Sequence, residues 1–180
     1  IRDSLVGSEM CIRDRFISGT ALSSNPSRDA VFYATQKASS LSIPLIIDMD
    51  YRPYNWESDE IKSNIYKKIM TEMDIIIGND LEFNIADNST KGFQLAKSFI
   101  NEKPSIIIYK MGEKGSTVIT KEKEQNFGIF KVEAIKPTGA GDAFNGGFIS
   151  SIIQGYSLED SIKSCLLYTS DAADESAGVD

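Results

Sequence analysis

Pro44-Leu45-Ile46-Ile47-Asp48 is an unbroken apolar run that ends on a carboxylate. A strand with one wet face alternates apolar and polar residues; a continuous run fits a parallel strand covered on both faces. The pattern returns at Asp74-Ile75-Ile76-Ile77-Gly78 and Ser105-Ile106-Ile107-Ile108-Tyr109, and a shorter run, Phe16-Ile17-Ser18-Gly19-Thr20, precedes them. Helical stretches lie between. Asn25-Pro26-Ser27 opens one, with Pro early and Ser or Asn able to cap, and Ala30, Val31, Ala34 and Ala38 follow at helical spacing. Ile61, Ile65, Ile69 and Met73 form the apolar stripe of a second, predicted over 58–73. Shorter helices are expected near 80–86 and 90–101, more exposed strands at 115–120 and 128–132, and closing helices at 141–154 and 158–165. Buried strands alternating with amphipathic helices predict an α/β fold with a mainly parallel sheet, whose ligands gather at the carboxyl ends of the strands.

The chain has 180 residues, 41% of them hydrophobic and 25% charged, the balance of a globular domain with its own core. No apolar run reaches the length of a membrane span and no stretch reads as a signal peptide, so a cytoplasmic protein without a membrane partner is expected. There is no histidine, which removes Ser-His-Asp and Cys-His catalysis and every histidine metal site. A general base must be Asp, Glu, Lys, Tyr or Cys. Net charge is −7, and four of those charges sit on Asp171, Asp174, Glu175 and Asp180. With no basic face, nucleic acid is not an expected partner.

The two ends break the pattern. Residues 1–15 read IRDSLVGSEMCIRDR, without helical or strand period, and residues 166–180 read LLYTSDAADESAGVD, an abrupt change after a well-patterned helix. Both look like sequence carried over from adaptor read-through. The expected organisation is a non-native or disordered segment at 1–15, a domain at 16–165 and a non-native or disordered acidic tail at 166–180. Cys11 falls in the first segment and Cys165 adjoins the second, so the two cysteines carry no redox argument.

Each polar motif follows a strand. In Asp48-Met49-Asp50-Tyr51-Arg52-Pro53-Tyr54-Asn55-Trp56, Asp48, Asp50 and Arg52 share one face if the chain stays extended. Arg52 then either reads a carboxylate or phosphate with its rigid fork, or belongs to a surface salt-bridge cluster. Gly78-Asn79-Asp80-Leu81-Glu82 has the form of a capped helix start. Lys110-Met111-Gly112-Glu113-Lys114-Gly115 has the form of a hairpin turn, with Lys114 either near a phosphate or solvated. The most informative stretch is Pro137-Thr138-Gly139-Ala140-Gly141-Asp142-Ala143-Phe144. Two glycines open an apolar helix, where unpaired N–H groups attract anions and no Cβ blocks a phosphate. Asp142 stands in the first turn, placed to take a proton from an attacking hydroxyl. The combination points to phosphoryl transfer to an alcohol; a plain Gly-rich turn is the alternative.

Taken in order, these segments resemble the ribokinase-like (PfkB) carbohydrate kinases over about residues 16–165. The 48–56 stretch, together with Phe16–Ser23 and Pro26-Ser27-Arg28-Asp29-Ala30-Val31-Phe32, is similar to members acting on acidic sugars. The resemblance implies a three-layer α/β/α fold, truncated here because the first βα units and the β-sheet lid are missing. It implies ATP and Mg2+ as cofactors. Asp142 is then the general base, and the N–H groups of Gly139, Ala140, Gly141 and Asp142 form the anion hole. Asn79 and Glu82 organise magnesium through water, while Lys110, Gly112, Gly115 and Thr138 line the nucleotide. Asp50, Arg52 and Asp142 meet the substrate, with Arg52 pairing its carboxylate. The expected substrate is 5-dehydro-2-deoxy-D-gluconate, from inositol breakdown, phosphorylated on its terminal hydroxyl. The alternatives are 2-dehydro-3-deoxygluconate or another sugar, and a non-catalytic nucleotide or sugar-acid binding module. Without lid and C-terminal helices the piece itself is expected to be inactive, and a full-length protein to form a homodimer. Where many members carry an Asp for a monovalent cation, this chain has Lys136, whose ammonium is expected to replace the ion.

Overall fold

Each isoleucine run becomes a strand at the centre of a sheet. The computed structural model describes residues 15–53, 56–129 and 139–174. The strands are β1 (Arg15–Ser18), β2 (Leu45–Asp48), β3 (Ile75–Asn79), β4 (Ile106–Lys110), β5 (Ser116–Ile119) and β6 (Glu124–Phe127). They form one six-stranded sheet in chain order. β1 to β4 run parallel, and β5 returns antiparallel against β4. Parallel neighbours need crossovers, which the helices supply: α1 (Ser27–Ser40), α2 (Asp59–Met70), and the pair α3 (Asp80–Asp87) and α4 (Gly92–Phe99). Two further helices follow, α5 (Ala140–Ile153) and α6 (Leu158–Asp174).

Period two sorts the strand residues. Leu45, Ile47, Ile76, Ile107, Tyr109 and Ile119 share one core with Ala38, Tyr66, Met70, Phe83, Ala96 and Phe99 from the four crossover helices. Ile46, Ile77, Ile108 and Val118 point to the other face and are also buried. Burial on both faces is why these strands read as unbroken apolar runs. The chain divides into two compact units, 1–112 with 116–125 and 113–115 with 126–180. In the second, α5 packs against α6, with Phe144, Phe148, Ile162 and Cys165 buried.

Several local expectations are corrected. The first strand is shorter than the apolar run, because Gly19–Leu22 turns into a 3-10 helix. Neither Asn25 nor Ser27 caps α1: its N-cap is Pro26, which has no side-chain acceptor. Arg28 ties that corner instead, donating to the carbonyls of Leu22 and Ser23. Of the expected stripe, Ile69 and Met73 are buried and Ile61 and Ile65 only half-buried; the buried face of α2, which ends at Met70, also takes in Lys62, Ser63 and Tyr66. A strand not expected there runs over Glu124–Phe127, while most of the strand expected over 128–132 lies outside the described residues. Thr120 and Lys123 exchange hydrogen bonds and turn the chain back at once. The last helix continues past Cys165 to Asp174, through a stretch with no Gly or Pro to stop it.

Candidate active site

β2 delivers its polar cluster at the carboxyl edge of the sheet. Asp48 ends the strand, buried, with Oδ1 3.7 Å from Lys110 Nζ at the end of β4. The expected alternation of Asp48, Asp50 and Arg52 along an extended chain does not hold. Asp50 has φ of 30°, in the left-handed region, so the chain bends there. The pairing survives by another route. Arg52 Nη2 lies 2.9 Å from Asp50 Oδ1, while Ser18 Oγ and Thr20 Oγ1 donate to Asp50 Oδ2 at 2.7 and 2.8 Å. Thr20 also donates to the Asp50 carbonyl. Three donors thus meet the Asp50 carboxylate, and one of them is Arg52. The Arg52 side chain is 63% exposed, so its fork remains open to an anion.

Ser18 and Thr20 had no assigned role in the sequence. Their signal was two hydroxyls at alternate positions at the end of an apolar run, facing the neighbouring strand's carboxylate. Below this cluster, Tyr66 on α2 donates to the Met49 carbonyl at 2.9 Å. Burial, then the charges of Glu82 and Asp50, push its phenol far above the ordinary tyrosine range, so it stays protonated.

Asn79 and Glu82 form a full capping box at the start of α3. Asn79 Oδ1 accepts from the Glu82 N–H at 2.9 Å, and Glu82 Oε2 accepts from the Asn79 N–H at 2.7 Å. Glu82 Oε1 accepts from the Tyr51 N–H at 3.1 Å, which fastens α3 to the loop carrying Arg52. Burial raises the Glu82 pKa; the bond from Asn79 and the Lys110 ammonium oppose this. Among the described residues no three acids cluster as a metal cage. The arrangement fits a hydrated Mg2+ carried by phosphates, with Glu82 as a nearby buried carboxylate, and not a site built from protein ligands alone.

Lys110 thus stands with Asp48 and Glu82. Gly112 opens a 3-10 turn, Gly112–Lys114, at φ of 55° with open space where a Cβ would go. Gly115 differs: at φ of 86°, a Cβ would lie 2.0 Å from the Phe127 carbonyl oxygen. Its glycine serves packing as well as any ligand.

In the second unit, Gly139 is the N-cap of α5, left-handed at φ of 90°, without a side-chain cap. Ala140, Gly141 and Asp142 make the first turn, and Gly141 and Asp142 are exposed. Among the described residues, nothing lies within 4 Å of a Cβ built on Gly139. Uncapped N–H groups at an open helix start suit an anion. Lys136 and Thr138 lie outside the described residues. The structure therefore brings Asp50, Arg52, Asn79, Glu82 and Lys110 to one edge of the first unit, and keeps Gly139 to Asp142 together in the second.

Residues 15–166 match the family described as pfkB family carbohydrate kinase. The 5-dehydro-2-deoxygluconokinase of Photobacterium profundum is 39% identical over 154 residues, 82% of this chain and 46% of that protein. That of Bacillus subtilis is 31% identical over 150 residues, again 82% of this chain and 46% of the relative. The chain thus spans about half the length of the curated relatives it matches. Among solved structures, aminoimidazole riboside kinase from Salmonella enterica, complexed with aminoimidazole riboside and an ATP analog, superposes with a TM-score of 0.80 at 19% identity, covering 89% of this chain and 56% of that one. Fructokinase from Vibrio cholerae O395 gives 0.77 at 21% identity, covering 91% and 58%. These likenesses establish the ribokinase-like fold. No helix among the described residues is long and apolar enough to cross a membrane.

Proposed function

We infer that this chain, which belongs to the pfkB family of carbohydrate kinases, is part of a cytoplasmic ATP-dependent kinase for a sugar acid, with 5-dehydro-2-deoxy-D-gluconate as substrate in inositol breakdown. The observation that carries the substrate class is Arg52, an exposed guanidinium locked from behind by Asp50. Such a fork matches a carboxylate, a group that a neutral sugar lacks. The names of the relatives support the same substrate.

Asp142 takes the proton from the terminal hydroxyl as its oxygen attacks the γ-phosphorus of ATP, and ADP leaves. The first-turn N–H groups of α5 receive the charge on the transferred group. Asn79 and Glu82 would hold the hydration shell of Mg2+, and the ion would neutralise charge on the phosphates. The resemblance assigns Lys110, Gly112, Gly115 and Thr138 to the nucleotide. A chain described as Ribokinase II from E. coli has been solved with ATP and Mg2+, which supports both cofactors. These 180 residues, about half the length of the curated relatives, are proposed to be inactive by themselves.

The test is ATP consumption by the full-length protein with 5-dehydro-2-deoxygluconate, 2-dehydro-3-deoxygluconate and fructose. Preference for the first is expected. Turnover of the second alone keeps the mechanism and replaces the substrate; ATP binding without turnover of any favours a binding module.

A further inference from the structure

Arg28 lies in the first turn of α1, away from any group assigned to the reaction, yet two chains of contacts run from it to Arg52. Its side chain is only 14% exposed. Along the first, Nε donates to the Leu22 carbonyl at 2.8 Å and Nη2 to that of Ser23, pinning the end of the Gly19–Leu22 turn. That turn carries Thr20, which donates to Asp50, which pairs with Arg52. Along the second, the guanidinium lies 5.8 Å from the centre of the Trp56 ring, and Nη1 is 3.6 Å from Glu57 Oε1. Trp56 Nε1 donates to the Arg52 carbonyl at 3.1 Å.

We propose that Arg28 is a positioning residue for Arg52, fixing its side chain through Thr20 and Asp50 and its backbone through Trp56, so that the fork is preformed for a sugar carboxylate. The inference rests on the carboxylate reading of Arg52. A mobile arginine loses rotamer freedom when it binds an anion; one already held does not lose it again. Only a planar fork can serve two carbonyls while its charge stays over a ring, so lysine is not an equivalent. Asp50 adds a reason for an external clamp: its left-handed backbone costs energy that the Ser18 and Thr20 bonds offset.

The test is a double-mutant cycle in the full-length protein, with binding of 5-dehydro-2-deoxygluconate read by calorimetry. Arg28→Lys is made in the native background and in Arg52→Gln, which keeps a polar side chain and measurable binding. Arg28→Lys is expected to weaken binding about tenfold in the native background and not at all beside Arg52→Gln. Affinity for an ATP analogue should be unchanged. Thr20→Val should repeat the pattern, and serves if Arg28→Lys does not fold. Equal weakening in both backgrounds, or none in either, overturns the proposal. If Arg52→Gln itself binds the sugar acid as the native protein does, the carboxylate reading fails, and this inference with it.

Discussion

The Arg52 guanidinium sits 2.9 Å from Asp50 Oδ1, on a residue whose backbone is left-handed at φ of 30°. Asn tolerates that backbone about as well as Asp, whereas Ala does not. Asp50→Asn should therefore leave thermal stability within about 0.5 kcal/mol while weakening sugar-acid binding, because the ion pair is lost. Asp50→Ala should lose both, with destabilisation of about 1–2 kcal/mol from the backbone alone. Denaturant unfolding and sugar-acid titration of the two variants check this.

The Asn79–Glu82 capping box makes these residues structural before they are anything else. Asn79→Ala should cost about 1 kcal/mol of stability, the usual worth of an N-cap. Glu82→Ala removes the acceptor for two backbone N–H groups, those of Asn79 and Tyr51, and should cost more. A shift of the urea midpoint at unchanged slope would register both. Any further loss of activity at saturating Mg2+, after correction for stability, would measure their part at the nucleotide.

Gly112 and Gly115 flank one turn but differ in what they tolerate. Gly112→Ala meets open space and pays only for its left-handed backbone, about 1–2 kcal/mol. Gly115→Ala drives a Cβ to 2.0 Å from the Phe127 oxygen and should destabilise by about 4 kcal/mol or prevent folding. Soluble yield and melting temperature of the pair separate the two cases.

Cys165 is buried, and burial pushes its thiol up to about 12 from an ordinary 9.0. A thiol raised in the fold leaves stability unaffected below 9. Above that, the unfolded chain releases its proton first, so stability falls as pH rises from 9 toward 12. Alkylation of Cys165 at pH 8 should be undetectable until denaturant is added, as peptide mapping would show.

The sheet was legible because both its faces are covered: Leu45 to Ile47, Ile75 to Ile77 and Ile106 to Ile108 could hardly be anything but buried strands. The face of α2 was not, because its buried positions are partly polar. Tyr66 is inside because the Met49 carbonyl receives its hydroxyl, and Lys62 because Asp59 and the Tyr51 ring take its ammonium. Periodicity sees apolar spacing, and two of these three partners come from the loop after β2. The Asp50–Arg52 pair was legible as a pair, but not its geometry. The backbone reversal at Asp50 is stabilised by Ser18 and Thr20, some 30 residues away. The capped start of α3 was legible because its partners lie within one helical turn, but the choice of Asn79 as the cap and the return bond to Glu82 were not.

Asp142 is proposed as the base of a phosphotransferase. The most direct measurement is Asp142→Asn in the full-length protein, with turnover and ligand binding followed side by side. Turnover should fall by about 10²–10⁴-fold, while dissociation constants for ATP and the sugar acid stay near their native values. Turnover that survives the substitution would contradict the assignment of Asp142 as the base and return its Gly-Ala-Gly-Asp turn to a plain helix start.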